Sequence, residues 1–157
     1  MNEKQLKVGI IGGGAAGFFA AISCKQHHPN ADVIIFEKST KTLAKVKISG
    51  GGRCNVTNAT YSISELSKNY PRGEKQLKKA FSQFMTTHTV EWFESRGVKL
   101  VTQEDNCMFP AAQDSQVIID CLVNEVNKLG ITIKIQTHIE AIIAGENGYD
   151  LAIRNQK

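Results

Sequence analysis

Residues 7–17 read KVGIIGGGAAG, an apolar run that leads directly into a cluster of glycines. Gly12, Gly14 and Gly17 have the spacing G-x-G-x-x-G, and Glu37 follows 20 residues after Gly17, at the end of a second apolar run. A strand, a glycine turn, a helix, a second parallel strand and a spaced acidic residue together form the dinucleotide-binding fingerprint. The sequence therefore predicts an α/β protein, a three-layer Rossmann-like domain that opens with a βαβ unit.

Each glycine of the pattern has its own physical role. Gly12 lets the backbone leave the strand in a sharp turn, Gly14 lets a pyrophosphate approach the main chain, and Gly17 lets the helix pack closely on the sheet. The helix that begins at Ala15 and Ala16 directs its unpaired N–H groups and its positive dipole end toward that pyrophosphate.

The acidic residue narrows the choice of nucleotide. Glu37 can accept hydrogen bonds from both hydroxyls of an adenosine ribose, and its charge would repel a 2′-phosphate. Glu37 suits FAD and NAD equally, so both cofactors stay open at this point. An accidental glycine-rich turn between a strand and a helix is the structural alternative.

Composition and hydropathy exclude several classes of protein. The 157 residues, 41% hydrophobic and 22% charged, are enough for one domain with a core. No apolar run approaches the roughly 20 residues of a membrane helix, and the polar residues 1–5 leave no room for a signal peptide. We therefore expect a cytoplasmic protein with no membrane partner.

The cysteines and histidines form no metal-binding pattern. The four cysteines are widely spread, none belongs to a C-x-x-C pair, and no histidine stands at a zinc-like spacing from them. Structural disulfides are rare in cytoplasmic proteins. We predict neither a metal site nor a disulfide.

The positive charge is gathered in one part of the chain. The formal net charge is +4, and cations cluster between Lys38 and Lys79. A basic surface attracts polyanions, but glycines interrupt this segment, and it lacks the interleaved aromatics of a platform for single-stranded nucleic acid. We therefore expect a small-molecule substrate and no nucleic-acid partner.

Apolar periodicity predicts the remaining elements. We predict helices at 74–84, 87–96 and 115–129, strands at 98–101, 107–110 and 131–135, and a hairpin of 139–143 and 149–153 that turns at Asn147-Gly148. Residues 38–62 show no clean period, which indicates a loop around a ligand. No segment after this small β excursion can add a parallel strand, so we expect residues 1–157 to be the N-terminal part of a longer nucleotide-binding domain.

A second glycine loop, residues 49–58, reads SGGGRCNVTN. Consecutive glycines expose N–H groups and allow positive φ, as in an anion-binding nest. Arg53 adds a fork of donors suited to a phosphate or to the edge of an electron-rich ring. Asn55, Thr57 and Asn58 can form hydrogen bonds with a heteroaromatic ring. A flexible surface turn is the alternative.

Together these motifs resemble the flavoprotein family of BaiN/RdsA-type NAD(P)/FAD-dependent oxidoreductases. The resemblance is carried by both glycine loops, by Glu37-Lys38, Lys45, Trp92-Phe93-Glu94, Gly97-Val98 and Phe109-Pro110. It covers essentially the whole chain, and residues 49–58 are its most specific part.

The resemblance implies a split FAD-binding domain whose remainder, with an inserted substrate domain, lies outside this chain. The first loop would cradle the pyrophosphate and Glu37 would bind the adenosine ribose. The second loop would lie along the pyrophosphate, the ribityl chain and the flavin ring. The predicted cofactor-binding residues are Gly12, Gly14, Ala15, Ala16, Gly17, Glu37, Lys38, Lys45, Ser49, Gly51, Gly52, Arg53, Asn55 and Thr57.

The leading interpretation is an FAD-dependent oxidoreductase that acts on an unknown small molecule, with NAD(P)H as a candidate electron donor. An NAD-dependent dehydrogenase is the second interpretation, although a simple NAD domain does not need the second loop. A non-catalytic nucleotide-binding or regulatory module is the third. A fourth is thiol redox chemistry at Cys54, whose pKa the neighbouring Arg53 could lower. No acid–base pair in the chain identifies a catalytic residue.

Overall fold

The computed structural model describes residues 5–154, which form two compact units. Residues up to 46, together with those from 122 onward, form the first unit, and residues 47–121 form the second. The elements in chain order are β1 (Lys7–Ile11), α1 (Ala15–His27), β2 (Asp32–Phe36), α2 (Ala44–Ile48), β3 (Thr57–Asn58), α3 (Ile63–Lys68), α4 (Glu74–Phe81), α5 (Thr86–Glu94), β4 (Leu100–Thr102), β5 (Cys107–Pro110), α6 (Gln116–Lys128), β6 (Thr132–Lys134), β7 (Ile139–Gly145) and β8 (Gly148–Ile153).

The first unit is built on a parallel sheet in the order β1-β2-β6. Strand β1 pairs with β2 from Lys7 opposite Asp32 to Ile11 opposite Phe36, and β6 adds to the other edge of β2 in the same direction. The predicted parallel pairing of the first two strands is confirmed. It follows from the helix between them, because a strand–helix–strand connection returns the chain in the same direction.

The two faces of this sheet are covered by different elements. Helix α1 covers one face, where the Gly17 backbone lies close to Ile10 and to the end of β1. Residue 9 points to the opposite face, since side chains alternate along a strand, and Leu151 of the β7–β8 hairpin packs against Gly9 there. Phe18 and Ile35 are fully buried in the core. The predicted three-layer α/β architecture with a β excursion at its C-terminal end is confirmed.

The hairpin turns one residue earlier than predicted. Gly145 pairs with Gly148, so the two-residue connection is Glu146-Asn147 rather than Asn147-Gly148. A type I′ turn at Asn147-Gly148 would require positive φ at both residues, and Asn147 does not adopt it. Gly148 instead takes a φ of +146° as the first residue of β8.

The second unit holds a small antiparallel sheet in the order β3-β5-β4, with α3, α4 and α5. Helix α5 ends at Glu94, two residues before the predicted end at residue 96. Gly97, at φ +81°, follows this end, and the Val98 N–H donates to the Phe93 carbonyl there. The absence of structure expected over 38–62 is wrong, because α2, a 3₁₀ turn at Ser49–Gly52 and β3 lie there. The helix and the 3₁₀ turn have five and four residues and β3 has two, so each is too short to show a period.

No helix within residues 5–154 is both long enough and apolar enough to span a membrane.

Candidate functional site

The first candidate site is the loop of residues 12–17, between β1 and α1. Gly12 takes a φ of +107°, which an L side chain rarely adopts, and its N–H donates to the Phe36 carbonyl at 2.8 Å. A Cβ on Gly17 would lie 1.9 Å from the Gly12 carbonyl oxygen. The turn and the close approach of helix to strand that the fingerprint requires are therefore both present.

Gly14 is the opening in this loop. A Cβ built on Gly14 would meet no atom within 4 Å, and Gly14 caps α1 without any side-chain hydrogen bond. Ala15 and Ala16 are exposed, and the first turn of α1 carries no acidic residue. The helix thus presents N–H groups and open space, with no carboxylate to repel an anion.

Gly13 is required for a reason that the fingerprint does not show. Its Cβ would lie 2.9 Å from Thr42 Cγ2 and 3.0 Å from Glu37 Cβ. The Gly13 carbonyl also accepts the Leu43 N–H at 2.8 Å. The middle position of the glycine triplet is therefore where the chain after β2 packs against the loop.

Glu37 follows β2 and has its carboxylate fixed by three donors. Oε2 accepts the Gly13 N–H at 2.8 Å, while Oε1 accepts the N–H and the hydroxyl of Ser39 at 2.8 Å and 2.7 Å. The hydrogen bonds from Ser39 are the main reason that the pKa of Glu37 lies below its ordinary value of 4.5, and Gly13 and the charge of Lys38 also lower it. Glu37 is therefore an ionised acceptor at the edge of the loop.

The first unit thus gathers most of its predicted site residues around one loop. Those residues are Gly12, Gly14, Ala15, Ala16, Gly17 and Glu37. Lys38 and Lys45 are both exposed, Lys38 directly after Glu37 and Lys45 on α2.

The second candidate site is the loop of residues 49–58, which lies in the second unit. Gly50, Gly51 and Gly52 take φ values of +56°, +69° and +86°, so three consecutive residues are left-handed. At Gly50 a Cβ would also lie 2.7 Å from the Phe109 ring, whereas at Gly51 it would meet nothing within 4 Å. The backbone conformation thus favours glycine at all three positions. At Gly51 the space beside the main chain is empty.

Arg53 is folded back over its own loop. Its guanidinium carbon lies 4.2 Å from the centroid of the Phe109 ring. Nε donates to the Gly50 carbonyl at 3.1 Å and Nη1 donates to Gln113 Oε1 at 3.3 Å. Because a guanidinium has five N–H donors, donors remain for a ligand after these contacts.

Two buried hydroxyls that sequence reasoning missed hold the ends of this loop. Ser115, fully buried, donates from its N–H to the Gly52 carbonyl and from its hydroxyl to the Lys47 carbonyl, both at 2.8 Å. Thr86, 2% exposed, donates from its hydroxyl to the Asn58 carbonyl at 2.9 Å. Only the three-dimensional structure reveals these contacts, because Ser115 lies 63 residues beyond Gly52 in the chain.

The remaining predicted residues lie on the same loop. Ser49 begins it and accepts the Cys54 N–H at 3.0 Å, Asn55 is exposed, and Thr57 starts β3 opposite Met108. The loop thus brings together Ser49, Gly51, Gly52, Arg53, Asn55 and Thr57.

The hypothesis of thiol redox chemistry at Cys54 is wrong in its premise. Burial raises the pKa of the Cys54 thiol above its ordinary value of 9.0, and Arg53 does not lower it. The guanidinium instead stacks on Phe109. A thiol with a raised pKa is a poor nucleophile at neutral pH, because the thiolate is the reactive form.

A cavity of about 410 Å³ lies beside the second loop, within the second unit. One wall is the loop itself, from Asn55 to Asn58, and the other comes from α3, α4, α5 and the residues between them. Its aromatic lining consists of Tyr70, Phe81 and Phe84. Within residues 5–154, no group of three or more His, Cys, Asp or Glu residues could hold a metal ion.

The family assignment rests on a match over residues 6–157 to the family described as HI0933-like protein Rossmann domain. The chain belongs to this family. The resemblance to BaiN/RdsA-type flavoproteins and the Rossmann fold that it implied are therefore both confirmed.

Two curated relatives are similar to this chain in amino-acid sequence to the same degree. The chain is 27% identical over 151 residues to the 3-dehydro-bile acid delta(4,6)-reductase of Clostridium scindens, covering 96% of this chain and 36% of that protein. It is 27% identical over 147 residues to the ribosomal RNA dihydrouridine synthase of Escherichia coli, covering 90% of this chain and 34% of that protein. The chain thus spans about a third of the length of these relatives.

Solved structures share the fold at low sequence identity. A 3-ketosteroid-delta4-(5alpha)-dehydrogenase from Rhodococcus jostii has a TM-score of 0.65 at 12% identity, covering 98% of this chain and 43% of that one. A flavocytochrome c3 fumarate reductase has a TM-score of 0.65 at 19% identity, covering 96% of this chain and 32% of that one. These similarities support the fold alone.

Proposed function

We propose that this chain is the N-terminal part of the FAD-binding domain of an FAD-dependent oxidoreductase. The observation that carries the proposal is the open main chain at Gly14, bordered by the first turn of α1 and by the ionised carboxylate of Glu37. A diphosphate that is linked to an adenosine ribose matches this pair of features, because the anion meets helix N–H groups and the ribose hydroxyls meet an acceptor.

The residues present fit an adenosine diphosphate group. Gly14 offers the space that any larger side chain would occupy, while Ala15 and Ala16 leave the helix end uncovered. Glu37 uses three protein donors, and two carboxylate oxygens have about four acceptor positions, so it can still accept from the ribose. The same carboxylate disfavours a 2′-phosphate, so the nucleotide is not of the NADP type.

The second loop supports FAD over NAD as the resident cofactor. The family resemblance implies that Gly51, Gly52, Arg53, Asn55 and Thr57 would serve the pyrophosphate, the ribityl chain and the flavin ring. When bound, the flavin supplies the two-electron chemistry. The protein groups named here bind and orient it, and we assign no proton transfer to any of them.

The names of the relatives suggest a type of reaction. A delta(4,6)-reductase and a dihydrouridine synthase both add hydrogen across a carbon–carbon double bond of a ring. We propose the same for this protein, with a small molecule as substrate, no nucleic-acid partner and NAD(P)H as electron donor. Hydride and proton together saturate the double bond as NAD(P)H is oxidised.

RNA is the second candidate substrate, and one surface favours it. The exposed cations around α3 and α4 are Lys68, Arg72, Lys75, Lys78 and Lys79. Only Lys78 among these cations makes an ion pair in the described part of the chain, with Glu74 at 2.7 Å. An RNA complex would weaken steeply as salt rises, and binding of a neutral small molecule would not.

A nucleotide titration tests the cofactor. The purified full-length protein is titrated with FAD, ADP, NAD and NADP by calorimetry, and the Glu37→Ala variant serves as a control. We expect FAD to bind most tightly and NADP most weakly, and Glu37→Ala to lose roughly ten- to hundredfold in affinity for FAD and ADP. Equal binding of NAD and FAD would contradict the proposal, as would wild-type affinity in Glu37→Ala.

A further inference from the structure

We propose that Ser39 is a specificity-determining residue of the nucleotide site. Its hydroxyl occupies one of the two positions that a ribose needs on the Glu37 carboxylate, so Glu37 recognises one ribose hydroxyl strongly and the other weakly. The inference rests on the proposed function, because it concerns how the adenosine ribose is bound. Ser39 belongs to neither glycine loop, and only its contacts in the folded chain connect it with the site.

The Glu37 carboxylate has little acceptor capacity left. A carboxylate offers about four lone-pair positions, two on each oxygen. The Ser39 N–H and hydroxyl fill both positions of Oε1, at 2.8 Å and 2.7 Å. The Gly13 N–H takes one position of Oε2 at 2.8 Å, so about one position remains once the donors of the described residues are counted. A ribose brings two hydroxyls, and the donors would then exceed the positions by one.

The Ser39 hydroxyl has a second acceptor within reach. Its oxygen lies 2.7 Å from Glu37 Oε1 and 2.8 Å from the Lys41 carbonyl oxygen. A hydroxyl has a single proton and rotates to suit its surroundings, so it donates to only one of these acceptors at a time. In the free protein the ionised carboxylate is the stronger acceptor. The Lys41 carbonyl is where the proton goes when a ribose hydroxyl takes its position on Oε1.

The other two donors are backbone N–H groups, whose directions follow from their peptide planes. Ser39 is held by Gln136, whose N–H donates to the Ser39 carbonyl at 2.9 Å. The Glu37 N–H donates to the Lys134 carbonyl and the Glu37 carbonyl accepts the Thr137 N–H, each at 2.8 Å. The chain from the end of β6 onward thus fixes the backbone of both residues, and the side-chain hydroxyl is the donor that gives way.

The two ribose hydroxyls therefore differ in what they gain. One donates to the open position on Oε2, and no protein hydrogen bond is lost. The other must replace the Ser39 hydroxyl on Oε1, which exchanges a charge-assisted hydrogen bond for a neutral one to the Lys41 carbonyl. Because charge-assisted hydrogen bonds are roughly twice as strong as neutral ones, this exchange offsets much of what the second hydroxyl contributes. Ser39 thereby makes the recognition of the ribose unequal.

Nucleotides that lack one ribose hydroxyl test this inequality. Full-length protein freed of bound nucleotide is titrated by calorimetry with ADP, 2′-deoxy-ADP and 3′-deoxy-ADP. In the wild type we expect one deletion to weaken binding about tenfold or more and the other less than about threefold. In Ser39→Ala, where the position on Oε1 is open, we expect both deletions to weaken binding about tenfold or more.

Two variants serve as controls. Ser39→Thr keeps a hydroxyl on the same carbon and should retain the unequal costs of the wild type. Thr40→Ala removes a neighbouring exposed hydroxyl, for which the described part of the chain shows no hydrogen bond to Glu37, and should retain them too. If Ser39 only stabilised its turn, Ser39→Ala would lower the free energy of unfolding measured in urea and leave the unequal costs as they are.

Two results would overturn the inference: similar costs of the two deletions in the wild type, and unequal costs that persist in Ser39→Ala. Either result leaves the nucleotide site in place as long as the wild type binds ADP and FAD. A wild-type protein that binds neither ADP nor FAD would instead refute the proposed function, and this inference with it.

Discussion

Replacing two glycines of one motif by alanine should have opposite consequences, because the structure gives them different roles. At Gly14 an added Cβ meets nothing within 4 Å, and the residue has a φ of −90°, which alanine adopts freely. At Gly17 the Cβ would lie 1.9 Å from the Gly12 carbonyl oxygen, whereas ordinary contact begins at 3.4 Å. Gly14→Ala should therefore spare the fold and impair nucleotide binding, and Gly17→Ala should damage the fold.

The magnitudes follow from these contacts. Alanine in a compatible glycine position stabilises a protein by about 0.4–1 kcal/mol, because the unfolded chain loses freedom. The methyl group of Gly14→Ala would occupy the space where a diphosphate approaches, and loss of one charge-assisted hydrogen bond lowers affinity roughly ten- to hundredfold. Gly17→Ala forces α1 away from β1, and overpacking of this kind costs about 1–3 kcal/mol or more.

Urea unfolding and ADP calorimetry on the wild type and both variants check this prediction. We expect the free energy of unfolding to be unchanged or slightly higher in Gly14→Ala, with weakened ADP binding, and to be lower in Gly17→Ala. Wild-type ADP affinity in Gly14→Ala would refute the assignment of the phosphate site. Wild-type stability in Gly17→Ala would refute the close packing of helix on strand.

Three further predictions concern the residues that hold the loops. The pKa of Glu37 is lowered in the folded protein, so its contribution to stability is complete above about pH 4.5 and is lost as the pH falls through the folded-state pKa. Urea unfolding from pH 3 to 7 should therefore show a smaller loss of stability on acidification in Glu37→Gln than in the wild type. Ser115→Ala removes a buried hydroxyl that donates to the Lys47 carbonyl, which should lower the free energy of unfolding by about 1–3 kcal/mol, whereas the exposed Ser64→Ala should leave it unchanged. The buried Cys54 thiol should react with iodoacetamide at pH 7 about tenfold or more slowly in the native protein than in urea, as followed by mass spectrometry, and equal rates would contradict its raised pKa.

The first glycine loop was predictable because its determinants are local. The fingerprint lies within 31 residues, from Lys7 to Glu37. Each of its glycines is required by a strand, a turn or a helix that is adjacent in the chain. The parallel pairing followed from the same unit. The role of Gly13 was not predictable, because it depends on Thr42 and on the path of the chain after β2.

The second glycine loop shows where sequence reasoning ends. Positive φ in the glycine run could be expected from composition, and the structure has it at all three positions. The contacts of Ser115, Thr86 and Phe109 with this loop link residues 28 to 63 positions apart in the chain. No local pattern encodes such pairings, and the same applies to the stacking of Arg53 on Phe109 and to the burial that raises the pKa of Cys54.

The most direct test of the account is to identify the cofactor of the purified full-length protein, of which this chain is the proposed N-terminal part. Its absorbance spectrum is recorded after dialysis against FAD and removal of free nucleotide, and the chromophore released by heat is identified by mass spectrometry. The account predicts a flavin spectrum, intact FAD as the released compound and loss of both in Gly14→Ala. A colourless protein that instead retains NAD, or a wild-type content of FAD in Gly14→Ala, would contradict it.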